Sequence, residues 1–141
     1  MKKVLPLLLF FLILISGIIA QEKQKPIVAV LDLSGDGVSK AETKAITNLL
    51  ISSIFETDLV SIIDRNQREE ILSEIMFSLS GCTDENCAIE VGKMLAADIM
   101  VIGSIDSIGS RLSIDLKAID VSTSKLEGTF NKLYESVDEI F

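Results

Sequence analysis

The chain has 141 residues, 13 of them basic and 21 acidic, with no histidine, no tryptophan and a single tyrosine. The lack of histidine removes the commonest general base and metal ligand, and few aromatic platforms are left for stacking on bases or sugars. A net charge of −8 argues against a nucleic-acid binder, because that affinity is built from lysine and arginine clusters.

Met1-Lys2-Lys3 precede 17 uncharged residues, Val4 to Ala20, rich in leucine, isoleucine and phenylalanine, before polar Gln21. This is the layout of a secretory signal. The small-residue rule is met at Ala20 and poorly at Ile18, so cleavage after Ala20 is expected. The alternative is an uncleaved inner-membrane anchor, since 17 residues lie at the lower edge of what spans a bilayer. No cysteine lies near the junction, so a lipid anchor is not expected. Cleavage leaves 11 basic against 21 acidic residues, a net charge of −10. Residues 21–25 read as a linker and 26–141 as one domain, enough for a single core.

Pro26 opens the folded part. Ile27 to Leu31 is a continuous apolar run that suits a strand covered on both faces, closed by Asp32 and a turn at Ser34-Gly35-Asp36-Gly37. Ser39 and Glu42 form a capping box, and Ala45, Ile46, Leu49, Leu50, Ser53 and Ile54 follow at helical spacing. Leu59 to Asp64 reads as a second strand. Asn66 with Glu69 repeats the capping pattern at a helix carrying Ile71, Leu72 and Ile75, broken at Ser80-Gly81-Cys82. Thr83 caps a third helix, with Asp84 and Glu85 where the dipole favours them and Cys87, Ala88, Val91, Met94 and Leu95 on its apolar side.

From Asp98 the period changes to two. Ile99, Val101, Gly103 and Ile105 alternate with Met100, Ile102, Ser104 and Asp106. After a turn at Ile108 to Arg111, Leu112, Ile114, Leu116 and Ala118 alternate on the return. This predicts an antiparallel hairpin with one face buried and one solvated. A short strand near Leu126 to Phe130 and a terminal helix carrying Leu133, Val137 and Ile140 complete the order β-α-β-α-α-β-β-β-α. The fold class is α/β (α+β), a three-layer-like mixed sheet with helices packed on it and the first two strands parallel.

Four features could carry chemistry. Cys82 and Cys87 are the only cysteines; in an exported chain a close, even pair reads as a disulfide, worth roughly 2 kcal/mol in the chain-entropy picture. Buried free thiols are the alternative; a metal site would be half a set, and the spacing is not the redox one. Gly35-Asp36-Gly37 lacks the third glycine of the dinucleotide fingerprint and no Gly-Lys-Ser/Thr follows, so with Lys40 as a lone anchor a tight turn is the expected role. Asp32 and Asp64 follow their strands while Asp98 precedes its own, which places Asp98 at the opposite edge and argues against a shared carboxylate site. Asp64 to Glu70 is a dense charged run between a strand end and a helix start. Asp64, Arg65, Asn66, Arg68 and Glu69 make up a candidate partner-binding edge, against the plainer reading of a solvated face. No catalytic, metal or cofactor-binding residue is expected, and no cofactor.

Three blocks, Ile27 to Val38, Ile62 to Leu72 and Gly81 to Asp98, closing with Val101-Ile102-Gly103-Ser104-Ile105, resemble the periplasmic domain of CsgG-like proteins, the curli production and secretion family. A more distant likeness extends to activators of penicillin-binding proteins and to the amino-terminal domain of TolB. The resemblance covers residues 26–130 and implies a non-catalytic envelope protein in the periplasm or at the periplasmic face of the outer membrane. It would act through envelope protein partners or as a homo-oligomer, not on nucleic acid, with membrane contact only through the leader or a partner. Some relatives form outer-membrane channels; here the expected hairpin, bearing Asp106, Arg111, Asp115 and Lys117, is too short and too charged for a bilayer. A channel subunit or oligomeric ring, and a nucleotide- or phosphate-binding enzyme, are the competing readings.

Overall fold

The computed structural model describes residues 24–74 and 84–140. The described elements are β1 (Ile27–Val30), β2 (Ser34–Asp36), α1 (Lys40–Glu56), β3 (Ser61–Ile63), α2 (Arg65–Glu74), α3 (Glu85–Met94), β4 (Ile99–Ile108), β5 (Arg111–Asp120), β6 (Lys125–Tyr134) and a 3-10 turn (Val137–Glu139). The strands make one sheet in the order β3-β1-β4-β5-β6, with β2 also pairing β4. β1 is parallel to both β3 and β4, and β4, β5 and β6 form an antiparallel meander. The mixed sheet with helices packed on it is the expected architecture.

The apolar run of β1 explains its central place. Val28 and Val30 face α1, packing with Val101 and with Leu50, Ile51 and Ile54. Ala29 and Leu31 face the other way, into a core shared with Ile63, Leu72, Ala88, Val91, Leu95, Met100 and Ile102. A strand buried on both faces needs apolar residues at every position, and each buried valine or leucine stabilises by roughly 1.5–3 kcal/mol. α1 therefore covers one face, and α2 with α3 the other. At Gly92 an added Cβ would sit 2.5 Å from Val121 and 2.6 Å from Met100, so glycine lets α3 approach the sheet closely.

Several local expectations are corrected. Ser34 to Asp36 forms β2 rather than a turn. It resumes the pairing with β4 that β1 began, after one extra residue on its own side, and the turn proper is at Gly37, φ +68°. On α1 the buried positions are Thr43, Ile46 and Thr47, while Ala45 is exposed. β4 is not half-solvated along its length: Met100, Val101 and Ile102 are all buried, because its first half runs between the α1 layer and the α2–α3 layer. β6 is a full ten residues, longer than expected, and the chain after it makes a 3-10 turn instead of an α-helix. β5 holds Leu133 and Tyr134 in strand pairing with Ser113 and Leu112, which overrides their helical spacing. Among the described residues no helix is long and apolar enough to cross a membrane.

Candidate functional site

The charged run Asp64 to Glu70 lies where β3 ends and α2 begins, beside the end of β1. Here neighbouring parallel strands send their chains to opposite faces, β1 to α1 and β3 to α2, which is where open α/β sheets form a crevice. α2 is capped by Asp64, not by Asn66: its Oδ1 accepts the Gln67 N–H at 3.0 Å, and the helix starts at Arg65. From that start, Arg65, Arg68 and Leu72 share the inward stripe.

Arg68 is 1% exposed. β1–β3 pairing stops at Ala29 and Ile63, which leaves the Val30 carbonyl pointing past the end of β3, and Arg68 Nη1 donates to it. Arg68 Nη2 donates to Asp32 Oδ1 at 2.9 Å, and Arg65 Nη2 donates to the same oxygen at 2.8 Å. One carboxylate thus holds two guanidiniums, and the Nε atoms of both arginines are buried without a hydrogen-bond partner among the described residues. A charge so deeply placed is tolerated only when paired and hydrogen-bonded. Of the five candidate edge residues, Asp64, Asn66 and Glu69 are exposed, Arg65 is half-buried and Arg68 is turned inward. Sequence reasoning missed this division. The signal available was the i, i+3 spacing of two arginines directly after one strand, with an aspartate closing its neighbour.

The three strand-end aspartates are not brought together. Asp98 sits at the far edge, where its Oδ2 accepts the Ile27 N–H at 2.7 Å. Among the described residues no group of three or more Cys, Asp or Glu side chains could hold a metal. The third helix is capped by Asp84, whose Oδ1 accepts the Cys87 N–H at 2.8 Å; Cys87 packs against the core. Cys82 and Thr83 lie outside the described residues.

Cavities open on the surface of the described residues. One, of about 360 Å³, lies between the end of β1, the start of α1 and Arg65, and brings Lys40 together with Lys44 and Asp32. A second, apolar and about 330 Å³, lies between α1 and the outer strands, with Phe130 and Tyr134 in its lining. The third, about 520 Å³, is polar; Lys117 meets Glu85 there at 2.7 Å, and that hydrogen bond raises the Lys117 pKa above its usual value. At the start of α1 the Ser39 hydroxyl and backbone hold Glu42 below the usual carboxylate range.

The family model for the curli production assembly/transport component CsgG matches residues 19–113. The chain belongs to the CsgG family. The matched region carries every element from β1 to the start of β5, and so includes the Asp32–Arg65–Arg68 cluster. A comparison with the curated proteins finds no match. Among solved structures this CsgG-family chain is similar to the LpoB C-terminal domain from Salmonella enterica, at 11% identity and TM-score 0.65, covering 86% of this chain and 92% of that one. It is similar to the lipoprotein GNA1162 from Neisseria meningitidis, at 9% identity and TM-score 0.64, covering 80% and 83%. It is also similar to the PelC dodecamer from Paraburkholderia phytofirmans, at 11% identity and TM-score 0.51, covering 82% and 79%. At such identities the likeness is one of fold.

The β4–β5 hairpin of this CsgG-family chain has two strands of ten residues each, longer than expected from the sequence. Length alone is therefore no bar to spanning a bilayer. Met100 and Ile102 on one face and Ile105, Leu112 and Ile114 on the other are buried in the domain core, and Arg111, Asp115 and Lys117 also lie on the hairpin.

Proposed function

We propose that the protein is exported, loses residues 1–20, and acts in the bacterial envelope as a non-catalytic binding or assembly module. The observation that carries this reading is the CsgG-family match over residues 19–113, in a chain whose first 20 residues have the layout of an export signal. The partner-binding edge is the start of α2: Arg65 and Arg68 are anchored to Asp32, which fixes the orientation of exposed Asp64, Asn66 and Glu69. A disulfide between Cys82 and Cys87 ties the segment between α2 and α3 to the first turn of α3. Cross-linking in intact cells followed by envelope fractionation tests the edge. A reproducible partner should be captured by wild type and lost with Asn66→Ala/Glu69→Lys; equal capture by both proteins would refute it.

A second reading, a homo-oligomeric ring, is favoured by β6. Among the described residues this ten-residue strand is paired on one side only, and Leu126, Phe130 and Leu133 on it are exposed. Long open edges invite pairing with another chain. Sedimentation of the purified protein decides: a monomer at micromolar concentration ends the ring reading.

A further inference from the structure

The cavity beside the arginine cluster carries an inference independent of any protein partner. Lys40 and Lys44, one turn apart on α1, share a lining with Arg65 from α2 at the end of β1, and Asp32 is the one carboxylate among the described residues of that lining. That carboxylate already accepts from both Arg65 and Arg68. Neither Lys40 nor Lys44 makes an ion pair or hydrogen bond to another described residue through its ammonium group. The local balance is positive, in a chain with 21 acidic against 13 basic residues. Net charge argued against a nucleic-acid binder, but it does not describe this crevice, which draws its cations from segments 20 and more residues apart.

Three further features point the same way. The cavity opens beside the N-terminal turns of a 17-residue helix, whose dipole favours an anion. Glu42 is folded back on Ser39 and takes no part in the lining. Arg65, the arginine in the lining, has a buried Nε without a hydrogen-bond partner among the described residues. The hydroxyls of Thr43 and Thr47 both donate to helix carbonyls, so recognition falls to the cations.

We infer that this crevice binds a phosphate group, with Lys40 and Lys44 as direct contacts and Arg65, braced through Asp32 and Arg68, as the third. Two lysines from α1 and an arginine from α2 in one lining suit a compact tetrahedral oxyanion, and the volume leaves room for a small substituent on it. The phosphate can come from a free small molecule or from a lipid headgroup.

The test is a ¹⁵N NMR titration of the protein isolated from the envelope, at constant ionic strength, with inorganic phosphate and then pyrophosphate. A parallel arm measures co-sedimentation with phosphatidylglycerol or phosphatidylcholine vesicles. Saturable shifts at Gly35, Lys40, Thr43 and Lys44 with a low-millimolar Kd are expected. In Lys40→Gln/Lys44→Gln, whose side chains are exposed, affinity should fall at least about tenfold while the melting temperature is unchanged. Vesicle binding that is phosphatidylglycerol-dependent, lost in the double variant and competed by free phosphate assigns the headgroup; phosphate binding without vesicle binding assigns a small molecule. No saturable shift, equal affinity in the double variant, or vesicle binding that free phosphate does not compete would each overturn the site. These outcomes are separable from those of the partner capture, which uses different residues.

Discussion

Replacing Asp32 by alanine should unfold more of the molecule's stability than any other single surface change near the crevice. The carboxylate is half-solvated, with 55% of its side chain exposed, but it is the counter-charge of Arg68, whose side chain is 2% exposed. Removing one partner of a fully buried pair costs about 3–5 kcal/mol, whereas an exposed pair is worth less than about 1 kcal/mol. Asp32→Ala lies between, at about 2–3 kcal/mol, because Arg68 keeps the Val30 carbonyl but loses its charge partner. At this chain length that corresponds to a fall in Tm of roughly 8–15 °C. Arg65→Gln, which removes the more exposed guanidinium, should cost under about 1 kcal/mol. Arg68→Met removes the buried charge and leaves the Val30 carbonyl unpaired, at about 1–3 kcal/mol. Once Arg68 is gone, losing Asp32 should matter little, so the double variant Asp32→Ala/Arg68→Met should cost clearly less than the sum of the singles. Urea unfolding of the four proteins measures this. A cost below about 0.5 kcal/mol for Asp32→Ala, or strict additivity, would refute the view of Arg68 as a buried charge held by Asp32.

Three other outcomes are expected. Ala96 sits in the left-handed region at φ 51° and closes α3 with the N–H of Ala97 bonded to Gly92 and its own N–H to Lys93; Ala96→Gly should stabilise by about 0.5–1 kcal/mol in urea unfolding, since glycine adopts that conformation without strain. Glu42 is held below its usual value of 4.5 by the Ser39 hydroxyl and then its N–H, and Asp120 below 3.8 by the Thr123 N–H and the hydroxyls of Ser122 and Thr123. A lowered folded-state pKa contributes stability that is present above the unfolded value and lost as pH falls through the folded one. The urea midpoint should therefore be insensitive to these groups above pH ~5 and decline on acidification below it, less steeply in Ser39→Ala. The unreduced protein should weigh two hydrogens less than the reduced form and lose roughly 2 kcal/mol on reduction; thiol labelling of both Cys82 and Cys87 in the unreduced protein would exclude the bond.

The parts of the fold written in short-range periodicity were readable in advance. The all-apolar run of β1 announced a doubly covered strand, the Ser39–Glu42 box is present atom for atom, and the parallel relation of β1 and β3 followed from the intervening helix. Where the reading failed, a distant partner decides. Ser34-Gly35-Asp36 has turn composition, yet the open flank of β4 recruits it as β2. Leu133 belongs to a strand because β5 supplies hydrogen bonds that no local pattern reveals. The same limit applied to the site. Arg65 and Arg68 resembled solvated charges because the carboxylate they share lies more than 30 residues earlier. Lys40 looked like a lone anchor because Arg65, which faces it across the cavity, arrives from another helix.

Export is the premise on which the envelope role, the disulfide and the partner all depend. It is tested most directly by fractionating the producing cells and sequencing the protein's first residues from the fraction that contains it. The chain should be found in the envelope or periplasmic fraction and start at Gln21. A chain starting at Met1 and recovered from the cytosol, with both cysteines reduced, would contradict it.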